Sequence, residues 1–249
     1  MPAINSEQRI IALSLNELTY ILQWVNARGE SSRSPVTVLI GGWAVDAYNA
    51  WYGSIDIDLV TNHNTREDLK WYLRNNRGYE HHREHGSHSV AKNTQDGSII
   101  IDFISRETQD PFEGRIERLD FHMLDTNTEM RRVREGVAVA VPTRSLLLLF
   151  KLKAAWDRAY RIEQGISEDA SREHGKLIKD YADILVALID PDFGGTELEI
   201  AFLGEQFERF NFLKEIFTII PDNSDVFIKY HRMDREEARN TCTTLMRLT

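Results

Sequence analysis

The segment Gly41-Gly42-Trp43-Ala44-Val45-Asp46-Ala47-Tyr48-Asn49-Ala50-Trp51-Tyr52-Gly53-Ser54-Ile55-Asp56-Ile57-Asp58 decides how the first half of this chain folds. Val36 to Ile40, just ahead of it, is a short apolar run that reads as a strand. The two glycines leave bare backbone for a ligand to approach. The helix expected from Trp43 to Trp51 offers free N–H groups of the kind that bind phosphate. Gly53-Ser54 ends that helix, and Ile55 to Val60 reads as a second strand. On it Asp56 and Asp58 share one face, with Cα atoms roughly 6.6 Å apart. Ile55, Ile57 and Leu59 leave the other face, toward a core. Such a pair either marks the wet side of a strand or converges on hard, oxygen-seeking cations such as magnesium.

Outward from this segment, Asn16 to Ala27 has helical spacing, with Leu18, Ile21, Leu22 and Val25 on one face. Thr65 to Asn75 is a polar helix closed by Gly78. Ser87 to Lys92 and Ser98 to Ser105 form a hairpin about the turn Gln95-Asp96-Gly97. Asp102 is the one charge in its apolar strand, and a buried carboxylate requires a metal or a salt bridge. Leu119 to Leu124 and Val137 to Val141 are further strand candidates. Beyond Pro142 the pattern turns helical, at Leu146 to Tyr160, Glu173 to Ile189, Thr196 to Ile220 and Met233 to Met246. The fold class expected is α+β: a mixed sheet flanked by helices over residues 1–142, then a helical domain over 143–249.

Composition narrows the partners. The chain has 249 residues, 42% hydrophobic and 28% charged, enough for one large or two small packed domains. Its net charge of −9 disfavours non-specific nucleic-acid binding over the whole surface. A single cysteine, Cys242, permits no intrachain disulfide. The first residues lack the basic-then-apolar order of a signal peptide, and Val137 to Trp156 is too interrupted to span a bilayer. A cytoplasmic protein with no membrane partner is expected.

A strand ending in Gly-Gly, a helix, a strand carrying Asp56 and Asp58, and a later strand carrying Asp102 together resemble the polymerase-β nucleotidyltransferase superfamily. Gly42-Trp43-Ala44-Val45-Asp46-Ala47 is similar to the matching segment of aminoglycoside and lincosamide nucleotidyltransferases. Pro142 to Arg158 contains Lys151-Leu152-Lys153-Ala154, and Lys179-Asp180-Tyr181-Ala182-Asp183 follows. These two segments are similar to the Lys-Leu-X-Ala and Lys-Asp-X-X-Asp helices of AbiEii-type nucleotidyltransferase toxins.

The resemblance implies transfer of a nucleoside monophosphate from an NTP to an acceptor, with two magnesium ions bridging aspartates and triphosphate. It makes Asp56 and Asp58 the metal-binding carboxylates and Asp102 the third, acting as general base for the acceptor hydroxyl or as a ligand of the catalytic metal. Gly41, Gly42 and Ser54 would lie against the triphosphate. Projected at 100° per residue, Lys153 falls in the apolar stripe of Leu146, Leu149, Leu152, Trp156 and Tyr160, and Lys151 falls opposite. A lysine on such a stripe either snorkels along it or reaches a site, and its place in the matched motif implies that Lys153 is a triphosphate ligand. Asp180 sits at the edge of the next helix's apolar face and is expected to support the nucleotide, or to pair with Lys176. Asp183 projects nearly opposite, and Arg158 outward. The acceptor is open between RNA or protein, for a toxin-type enzyme with a cognate antitoxin as partner, and a small hydroxylated molecule, for an antibiotic-type enzyme. A catalytically silent nucleotide-binding protein is the third reading.

Other signals carry less. His81, His82, His85 and His88 could ligate zinc or nickel, but Gly86 breaks helical pairing, and a loop entering a strand is expected. Arg131-Arg132-Val133-Arg134 reads as a solvated turn. Phe202, Phe207, Phe210, Phe212 and Phe217 read as helix–helix core. Trp51 and Tyr52 are read either as core or as flanking the base.

Overall fold

The computed structural model describes residues 5–30, 35–82, 88–134, 136 and 138–249. A first helix, α1 (Ser6–Ala27), starts ten residues before the expected point. Asn5 accepts from the Gln8 backbone N–H, and the Gln8 side chain accepts from the Asn5 N–H, a reciprocal cap that fixes the start. Strand β1 (Val38–Ile40) runs straight into α2 (Gly41–Tyr48), which begins on the glycines themselves. Strand β2 (Ile57–Thr61) leads to α3 (His63–Asn76), capped by the Asn62 side chain on the Thr65 N–H. Strands β3 (Glu80–His82), β4 (Ser89–Thr94) and β5 (Gly97–Ser105) complete the sheet.

These strands lie in the order β1-β2-β5-β4-β3. Strands β2 and β5 pair in parallel and the other neighbours antiparallel, so the sheet is mixed. Ile57, Leu59, Ile101 and Phe103 face the core from the two central strands. Helix α1 lies against β5 and buries Leu18, Ile21, Leu22 and Val25 as expected, with Ile10 and Ile11 added by its longer first turns. The Trp43 ring is fully buried, and its Nε1 donates to Ser14 Oγ at 3.0 Å, tying α2 to α1.

Two short ribbons follow. Strands β6 (Gln109–Pro111) and β7 (Arg118–Asp120) pair, as do β8 (Thr128–Arg132) and β9 (Ala138–Pro142). Leu119 to Leu124 was expected as one strand. It instead leaves β7 for a tight helical turn at Phe121–Asp125, capped by Asp120 on the His122 N–H. Val137, expected in the last strand, lies outside the described residues.

The chain divides into two compact units. The first extends to Thr108 and resumes from Asp120 to Thr143, and the second comprises Gln109–Leu119 and Arg144–Thr249. In the second, α4 (Arg144–Glu163) and α5 (Ala170–Ala182) are followed by a wide π-helical stretch, Asp183–Ile189. Helices α6 (Ile200–Arg209), α7 (Lys214–Ile219), α8 (Ser224–Tyr230) and α9 (Arg235–Leu248) complete it.

The single helix expected from Thr196 to Ile220 is therefore broken. Phe210 and Phe212 explain the break: two residues apart, they would project about 200° from each other on one helix. A kink at Phe210 lets both meet Phe112, at ring distances of 5.0 and 5.2 Å. Phe207 and Phe217 are buried with them, while Phe202 is half-buried. Among the described residues no helix is long and apolar enough to cross a membrane.

Candidate active site

The site is a row of residues across one face of the first unit's sheet. In the β2–β5 pairing Asp58 is the direct partner of Asp102. Residues in register on neighbouring strands put their side chains on the same face, with Cα atoms about 4.8 Å apart. On the far side Asp58 pairs with Ile40, and the next residue is Gly41. Strand β4 adds Ser89, which is buried and donates its hydroxyl hydrogen to Asp102 Oδ1. Its neighbour Val90 pairs with Ile101, so Ser89 stands at the level of Asp102. The row thus reads Gly41, Asp58, Asp102, Ser89.

Gly41 and Asp58 are in close contact. Gly41 has φ +67°, and a Cβ placed on it would lie 1.9 Å from Asp58 Oδ2. Only glycine permits both that backbone conformation and that approach. The Asp58 carboxylate therefore rests against the first residue of α2, where the helix dipole favours negative charge. Gly42 is buried as the second residue of α2.

The strand is shorter than expected, and Asp56 lies one residue ahead of it, half-buried, together with Ile55 and Ser54. Asp58 and Asp102 are thereby brought side by side, while Asp56 enters from a bend. Among the described residues no group of three or more His, Cys, Asp or Glu side chains is gathered tightly enough to hold a metal ion. The donor chemistry present, two carboxylates at one level with a third two residues away along the chain, is the oxygen set that suits magnesium.

The surroundings of Gly41 are held by ion pairs. Asp46, on α2 and buried, takes Nε and Nη2 of Arg134 at 3.1 and 3.3 Å. Arg131 lies in β8, stacks 4.0 Å from the Tyr48 ring centroid and bonds Glu129. This corrects the solvated turn expected at Arg131-Arg132-Val133-Arg134: Arg131 and Arg132 belong to a strand, and Arg134 clamps α2. Trp51 is 49% exposed, and Tyr52 donates to Glu7.

The second unit holds the other expected site residues in ion pairs of its own. Lys153 is buried, 2.5 Å from Asp157 Oδ2 and 2.8 Å from Asp110 Oδ2. Burial pushes the Asp157 carboxyl up, against the pull of the Lys153 ammonium. Asp180 is buried and takes Lys151 at 2.9 Å and Arg158. The pairing weighed for it, with Lys176, is replaced by these two.

The helical projection misplaced Lys151 and Asp183. Leu146 through Leu149 are all fully buried, so the first turns of α4 have no polar side and Lys151 is buried too. Its ammonium lies 2.7 Å from Asp183, which is also fully buried and reached by Lys179 at 2.9 Å. Burial pulls the Lys151 pKa down, but the charges of Asp180 and Asp183 outweigh it and hold it above the ordinary value. The Lys-Leu-X-Ala and Lys-Asp-X-X-Asp segments are thus partners in one buried ion network. Arg158, expected to project outward, is part of it.

His81 and His82 sit on β3, paired with Val90 and Ser89, rather than in a loop, and His88 is exposed just before β4. His85 lies outside the described residues. Comparison with known proteins finds no family model that matches the chain and no curated protein that matches it.

Proposed function

We propose that the chain is a magnesium-dependent nucleotidyltransferase with a polymerase-β-type first unit, moving a nucleoside monophosphate from an NTP to an acceptor. The observation that carries this reading is the in-register pairing of Asp58 with Asp102, with Gly41 packed against the Asp58 carboxylate. Magnesium bound at Asp58, Asp102 and Asp56 would neutralise phosphate charge and stabilise the attacking and leaving oxygens. The chain's own residues supply position. Gly41 brings the Asp58 carboxylate against the start of α2 without a side chain between them, and the helix N–H groups add donors suited to phosphate oxygens. Ser89 fixes the rotamer of Asp102, so that its carboxylate can accept the acceptor's hydroxyl proton at a defined place.

The acceptor proposed is RNA or protein, as for a toxin-type enzyme, on the strength of the paired Lys151, Asp180 and Asp183 segments. The test is incubation with each α-labelled NTP and magnesium. Total RNA, a lysate and an aminoglycoside panel serve as acceptors, and the Asp56→Ala, Asp58→Ala double variant as control. Label on RNA or protein with the wild type alone supports the reading. Label on a small molecule moves it to the antibiotic-type class. The absence of both label transfer and NTP binding would overturn it.

A further inference from the structure

The outer face of α1 and α3, in the first unit, carries a ladder of rings and guanidinium groups that the carboxylate row does not use. Arg77 lies 3.7 Å from the centroid of the Tyr20 ring. Tyr72 stacks on Trp24 with centroids 5.8 Å apart and planes 27° apart. Arg28 also lies over the Trp24 ring, at 4.7 Å. Tyr20, Trp24 and Arg28 recur every fourth residue along α1, so they form one stripe on that helix. Trp71, beside Tyr72 on α3, is 65% exposed. A tryptophan this open contributes little to the fold.

Charge favours an anionic partner. Residues 17–28 and 63–77 hold five cations (Arg28, Arg66, Lys70, Arg74 and Arg77) against three carboxylates (Glu17, Glu67 and Asp68), in a chain of net −9. Glu17, beneath Arg77 and Lys92, and Arg66 are both buried, so the surface of these stretches holds four cations against two carboxylates. Arg28 is paired with Asp68 and Arg77 with Glu17, which hold their planes against the rings. Arg74 is exposed and makes no ion pair among the described residues. The large hydrophobic side chains exposed on α1 and α3 are Leu13, Tyr20 and Trp71, and the aliphatic side chains Ile21, Leu22, Val25, Leu69 and Leu73 are buried. Aromatic rings and arginines also build protein interfaces, so it is the local excess of cations in an acidic chain, set beside flat π-faces, that favours a nucleic acid.

We propose that this face binds a single-stranded nucleic acid, with a base stacked on Trp71 and phosphates drawn to Arg74 and the ladder arginines. It rests on α1 and α3 alone and stands whether or not the carboxylate row transfers nucleotides.

The test is fluorescence anisotropy of the full-length protein with a labelled RNA of about 15 nucleotides and no secondary structure, within the usual site size for such grooves. A duplex of the same length and a poly-glutamate peptide are run beside it. The expected result is preference for the single strand and a loss of tenfold or more in Trp71→Ala, with an unchanged melting temperature. Arg74→Ala should flatten the dependence of log affinity on log salt by about 0.7. Absence of binding at about 50 mM salt would overturn the proposal, as would binding that Trp71→Ala leaves intact. Capture of the acidic peptide in place of RNA, with the same sensitivity to Trp71→Ala, would reassign the face to a protein partner.

Discussion

The contact between Gly41 and Asp58 can be tested by adding one methyl group. In Gly41→Ala the new Cβ would stand 1.9 Å from Asp58 Oδ2, 2.7 Å from its Cγ and 3.0 Å from its Cβ. Two costs combine. Holding alanine at φ +67° costs roughly 1–2 kcal/mol. Forcing the carboxylate aside adds about 1–3 kcal/mol, the usual range for overpacking a filled site. The expected loss is therefore about 2–5 kcal/mol in the first unit's urea transition. A double-mutant cycle separates the two terms. In an Asp58→Ala background the carboxylate is gone, and the backbone term and the 3.0 Å approach to Cβ remain, so Gly41→Ala should cost about 1–3 kcal/mol there, less than in the wild type. Unfolding is followed by tryptophan fluorescence, with the urea slope compared between variants to keep the two units' transitions apart. An equal cost in both backgrounds would refute the packing of Gly41 on Asp58. A cost below about 0.5 kcal/mol would refute the positive φ as well.

Three other outcomes follow from named contacts. Lys151→Met leaves Asp180 and Asp183 buried without their shared cation, and the second unit should lose about 3–5 kcal/mol by urea titration; a loss under about 1 kcal/mol would contradict the buried network. Ser89→Ala removes the hydroxyl that donates to Asp102 Oδ1, so turnover in the transfer assay should fall about 10- to 100-fold at unchanged KM for NTP, with Ser89→Thr retaining most of it. Unchanged turnover in Ser89→Ala would show that the bond positions nothing. Partial burial and the cations Arg66 and Lys70 hold the His88 imidazole below its ordinary 6.5. Its contribution to stability is therefore present above that value and is lost as the pH falls through the lowered one. An NMR titration should place His88 below 6.5 in the wild type and higher in Lys70→Ala, and an unmoved midpoint would disprove the coupling.

Much of the first unit's order was legible because its signals are local. Glycines between an apolar run and a helix, alternation at Asp56 to Leu59, and a lone acid in the Asp102 strand each follow from a few neighbouring residues. The start of α1 was missed although the Asn5-x-x-Gln8 cap is in the sequence; the apolar stripe outweighed it. Ser89 could also have been found. The hairpin turn has two residues, Gln95 and Asp96, between the paired Thr94 and Gly97. Counting outward from that pair brings Ser89 opposite Asp102.

The start of β2 was not legible in this way, because which residue enters the ladder depends on the partner strand, and Asp56 falls just before it. The second unit misled for a different reason. Projection on one helix assumes a wet side, and α4 has none over its first turns, so the polar face assigned to Lys151 does not exist. Its ammonium is satisfied from α5 and the π-helical stretch that follows, a partnership no single-helix pattern displays.

The central claim is that the Asp58–Asp102 row holds a metal–nucleotide complex. Calorimetric titration of a non-hydrolysable NTP into the protein, with and without magnesium, tests it most directly. Binding should require magnesium and be lost in Asp58→Asn and in Asp102→Asn, while Asp180→Asn retains it. Binding without magnesium, binding that survives both substitutions, or no binding at all would contradict it.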